Sequence, residues 1–72
     1  MRVESLVKMA NQIAISVPDQ TAAVEQTATH LKSFWSPAMI QDLDSFRHEH
    51  PEAVNQTVGL ALDSLRSEAA HG

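Results

Sequence analysis

Three prolines, Pro18, Pro37 and Pro51, cut this 72-residue chain into stretches of helical length. A proline inside a helix removes a backbone donor and clashes with the turn before it. It also drives the preceding residue out of the α region. Helices must therefore begin or end at these three points. Within each stretch the apolar residues recur at three- and four-residue steps, the period of a helix with one buried face. The expected fold is all-α: a single domain over residues 1–72, built as a small bundle of about four short helices with tight, proline-marked connections.

Val3, Leu6, Val7, Ala10, Ile13, Ala14 and Val17 form one stripe and predict a first helix over about residues 3–16. Pro18 ends it. Asp19 is placed to cap a second helix over about 20–35, with Val24, Ala28, Leu31 and Trp35 on its inner face. Ala23, Thr27 and Phe34 lie along its shoulder. Ser36 and Pro37 carry the clearest punctuation. A serine hydroxyl accepts from an orphaned helix N–H, and a proline at the first helical position needs no N–H at all. One helix thus ends on Phe34 and Trp35 and the next begins at once, so Trp35, the only tryptophan, marks the expected centre of the core.

The third helix, over about 37–48, turns Met39, Ile40, Leu43, Phe46 and the stem of Arg47 to one side. Asp42, Asp44, Ser45 and Glu49 take the solvent side. The fourth helix, over about 52–69, buries Val54, Val58, Ala61, Leu62 and Leu65. Gly59 in its interior costs about 1 kcal/mol relative to alanine, which implies either a close neighbour or a weak point there. Residues 69–72 have nothing to hold them and are expected to fray. Ile15 and Leu60 fall outside the stripes.

Five Lys or Arg against nine Asp or Glu give a formal charge of −4 without a basic cluster, which argues against nucleic acid as the ligand. A helix-turn-helix reading rests only on the tight turn at Trp35-Ser36-Pro37, and the helix after it offers Arg47 alone as a base-reading cation. The absence of cysteine excludes disulfides and thiolate-held metals. His48 and His50 flank Glu49, but side chains two apart on a helix point about 200° apart, whereas a shared ion needs i and i+4. They suit a charged helix end, where histidine complements the dipole. His30, at the border of an apolar stripe, fits a half-buried packing role.

Asp42 and Asp44 do not converge, and two glycines cannot build a phosphate-cradling loop. No catalytic, cofactor or metal site is expected in this chain. No apolar run approaches the ~20 residues that span a bilayer, and Lys8, Asn11 and Gln12 interrupt any leader-like run, so a cytoplasmic location is expected. A chain of this size buries only about 60% of its unfolded surface. A partner protein is the remaining source of stability.

Leu6-Val7-Lys8-Met9-Ala10-Asn11-Gln12-Ile13-Ala14, followed by His30-Leu31-Lys32-Ser33-Phe34-Trp35-Ser36-Pro37-Ala38-Met39, resembles the delta subunit of NAD-dependent, molybdenum-containing formate dehydrogenases. The resemblance covers about residues 5–43. It implies a non-catalytic accessory subunit that assists assembly, cofactor insertion or stability of the complex. The alpha, beta and gamma subunits would then be its partners and carry the molybdenum bis-pterin guanine dinucleotide, iron–sulfur clusters, FMN and NAD. Met9, Asn11 and Gln12 lie at the edge of the first stripe or off it, and Trp35 sits at a corner able to expose one edge. These four are the candidate partner-binding residues. The alternative is a generic helical interaction module, or a homodimer that uses Ile15 and Leu60 as contacts.

Overall fold

Helix α1 spans Val3–Ser16, α2 Ala23–Phe34, α3 Pro37–Glu49 and α4 Gln56–His71 in a computed structural model that describes residues 2–71, with side chains through Glu68. Among the described residues there is no strand, and the four helices make a small all-α bundle of 28 × 28 × 21 Å. Val17, with φ −65° and ψ 124°, ends α1 ahead of Pro18. Ser36 (φ −72°, ψ 156°) caps α3, its Oγ accepting from the Met39 N–H at 3.2 Å, and Pro37 takes the first helical position.

Two boundaries differ from the sequence expectation. Asp19 accepts from both the N–H and the hydroxyl of Thr21, at 3.0 and 2.6 Å. These local bonds tighten Gln20–Ala22 into a 3₁₀ turn, so α2 starts only at Ala23. At the other end, Pro51–Ala53 form a second 3₁₀ turn and Val54 is extended. Asn55 then caps α4, its Oδ1 accepting from the Thr57 N–H at 2.8 Å. The fourth helix therefore begins near residue 56 rather than 52. It continues to His71. The fraying expected of residues 69–72 falls on Gly72 and on side chains outside the described residues.

Each helix contributes a fully buried aliphatic residue: Leu6, Leu31, Leu43 and Val58. Ala10, Ala14, Trp35, Val54 and Leu62 close around them, with Met9, Ile13, Met39, Ile40, Phe46 and Leu65 packed outside. Helices α2 and α4 form the most extensive pair, and α1 touches all three others. Trp35 is 9% exposed, with its N–H bonded to the Leu31 carbonyl at 2.9 Å. It stands in the core, at the corner between α2 and α3.

Phe34 does not share that burial. It shares the azimuth of Ala23 and Thr27, yet it is 75% exposed. It sits on the last turn of α2, and the packing that closes over Thr27 does not extend so far. Asp44, expected on the solvent side, is half-buried and bound by Arg66 at 2.6 Å. The neighbour implied by Gly59 is Arg47. A Cβ on Gly59 would lie 3.1 Å from Arg47 Nε, because the guanidinium crosses α4 there to reach Asp63 at 2.6 and 3.1 Å.

Candidate functional site

Met9, Gln12 and Ser16 follow one another at three- and four-residue steps along α1, and Gln26 and His30 do the same along α2. The two rows line a groove of about 560 Å³ together with Trp35 and Pro18. Met9 is half-buried, Gln12 exposed, and Trp35 shows only an edge. The fold thus brings three of the four sequence-predicted residues onto one concave surface. No charged side chain lines it.

Asn11 is placed elsewhere. Its Nδ2 donates to the Ala53 carbonyl at 3.1 Å, and its Oδ1 accepts from the Asn55 N–H at 2.8 Å. These bonds bracket buried Val54 and fix the entry to α4. Its amide is committed to the chain's own fold.

Trp35 also borders a second groove of about 590 Å³, between α2, α3 and α4, with Ile40, Leu62 and Leu65 as its apolar wall. Lys32 and Arg66 stand at its rim, each already paired: Lys32 with Glu68 at 3.5 Å, Arg66 with Asp44 at 2.6 Å. Beside it, the two bonds from Arg47 hold the Asp63 carboxyl below the usual carboxylate range, and Asp63 in turn raises the Arg47 guanidinium. Arg66 Nη2 also lies 3.1 Å from His48 Nε2. This seam is a structural ion network joining α3 to α4.

Helix α3 ends at Glu49, so His50 lies outside it and helical spacing does not part the two histidines, but they lie against different acids. His48 Nε2 lies 3.8 Å from Asp44, and His50 Nδ1 lies 3.7 Å from Glu52. Among the described residues no three His, Asp or Glu side chains gather as a metal site. With no cysteine in the chain, this donor set does not fit an iron–sulfur cluster. No helix among the described residues is long and apolar enough to cross a membrane.

Sequence reasoning missed one surface feature. The exposed Phe34 ring lies 4.8 Å from the His30 ring, centroid to centroid, tilted by 41°. Their i,i+4 spacing was the available signal. Ile15 and Leu60, the residues of the self-association alternative, are 69% and 46% exposed.

A family model described as the NADH-dependent formate dehydrogenase delta subunit, FdsD, matches residues 5–62. No curated protein and no solved structure matches the chain.

Proposed function

The chain belongs to the family of NADH-dependent formate dehydrogenase delta subunits, and on that premise we propose that it is a non-catalytic accessory subunit of such an enzyme in the cytoplasm. The match over residues 5–62 carries this reading, because it spans all but the ends of the chain. In it, formate oxidation and NAD reduction take place on alpha, beta and gamma partners. Those partners hold the molybdenum bis-pterin guanine dinucleotide, iron–sulfur clusters and FMN. The delta chain assists assembly, cofactor insertion or stability.

Met9, Gln12 and the open edge of Trp35 meet a partner subunit in the α1–α2 groove. Its uncharged lining supports that role, since the cores of protein interfaces are depleted of charge and enriched in aromatic residues and methionine. Asn11 contributes by holding the loop before α4.

A tagged chain purified from its native host tests the reading, with molybdenum and formate-dependent NAD reduction assayed in the eluate. Both are expected in the wild-type eluate and are reduced in that of a Met9→Ala/Gln12→Ala variant. Recovery of the chain alone, from cells that contain active formate dehydrogenase, would overturn it.

A further inference from the structure

We infer that the partner surface of this chain extends beyond the α1–α2 groove to Phe34, whose ring, backed by His30, is its principal anchor. The inference rests on the delta-subunit reading. Single exposed hydrophobics are ordinary on small proteins. Phe34 differs in degree and in setting. Among the described residues it is the most exposed of the large hydrophobics, at 75% against 69% for Ile15 and 46% for Leu60. It also borders a shallow depression that shares Gln26 and His30 with the groove of Met9, Ile13 and Trp35. The result is one continuous, largely apolar face across α1 and α2.

The motif around the corner points the same way. Leu31 and Trp35 are buried, Ser36 caps α3, Pro37 starts it, and Met39 packs against the core. Phe34 is the one large apolar side chain of the motif left mostly exposed, at 75%, with the His30 ring against it.

Charge selects the occupant. Of the chain's five basic and nine acidic residues, Glu25 alone lines either concavity. The occupant is therefore an apolar segment of another formate dehydrogenase subunit, free of carboxylates at its centre and neutral or basic at its rim. A second copy fits poorly, because each copy brings a formal −4. The α2–α3–α4 groove is the weaker candidate, since its rim cations are satisfied within the chain.

The test measures retention of the full chain on purified formate dehydrogenase, comparing wild type with Phe34→Ala, Phe34→Glu and Leu60→Glu. Thermal unfolding of each free variant accompanies it. Both Phe34 variants are expected to keep the wild-type midpoint and to bind at least tenfold more weakly, as for an interface hot spot. Leu60→Glu is expected to bind normally. Wild-type retention by both Phe34 variants would overturn the inference while leaving the delta-subunit reading intact. Failure of the wild-type chain to bind would remove both. A concentration-dependent dimer abolished by Phe34→Glu would show the occupant to be a second copy and overturn the assignment.

Discussion

Asn11 and Gln12 are neighbours in sequence and part company in the fold. Both are amides off the apolar stripe, so periodicity treats them as a pair. Asn11 is tied to residues 42 and 44 positions away, a pairing that no local pattern encodes. Its removal takes the partner from a half-buried Asn55 N–H and an exposed Ala53 carbonyl, at about 0.5–1.5 kcal/mol for ordinary hydrogen bonds. Asn11→Ala is accordingly expected to lower the urea midpoint clearly. Gln12→Ala, on an exposed position, is expected to change stability by less than about 0.5 kcal/mol. Equal midpoints for the two variants would refute the clamp. Phe34 was legible only in part: its angle on the helix and its i,i+4 spacing from His30 were predictable, but how far along α2 its neighbours reach is a tertiary fact.

Four helices were legible because prolines and apolar period agree about them. Their starts were less so, since Asp19 and Asn55 each tighten or delay the first turn by bonds to a residue two positions on. The seam between α3 and α4 was legible only as a glycine that needed a reason. Arg47 crosses α4 at Gly59, so helix propensity and sterics oppose each other there. Gly59→Ala is expected to stabilise an Arg47→Ala background by about 0.5–1 kcal/mol. In the wild-type background the new methyl displaces the guanidinium and that gain shrinks or reverses. Identical effects in both backgrounds, measured by chemical denaturation, would show that the two residues do not couple.

The same seam sets an acid sensitivity. Bonds from Arg47 hold the folded Asp63 carboxyl below its ordinary 3.8, so the unfolded chain binds a proton more readily. The stabilisation is present above that ordinary value and is lost as the pH falls below it, through the lower folded value. Asp19, held down by its bonds to Thr21, adds a dependence of the same sign. Asp63→Asn is expected to be less stable than wild type at pH 7 and to show a smaller further loss at pH 3. An unchanged pH slope would separate Asp63 from the acid response.

At the scale of the molecule, the two sides of the bundle are built on opposite terms. On the α3–α4 side, Arg47 binds Asp63 and Arg66 binds Asp44 across the helices. On the α1–α2 side, Met9, Ile13, Phe34 and the edge of Trp35 present apolar surface with almost no charge. Composition led to the expectation of a partner, because 72 residues without a disulfide bury a limited core. It could not foretell which side a partner covers, since that follows from how the helices are assembled. A bound partner stabilises the segments it touches and slows their local opening. Hydrogen exchange of the chain, free and within the enzyme, is therefore expected to differ by side. Amides of residues 9–17 and 30–35 gain the larger protection on assembly, and those of residues 44–49 and 60–66 change little. Protection confined to the second set would place the partner on the ion-paired seam instead. Even protection of both sets would mean that assembly stabilises the whole fold rather than covering one face.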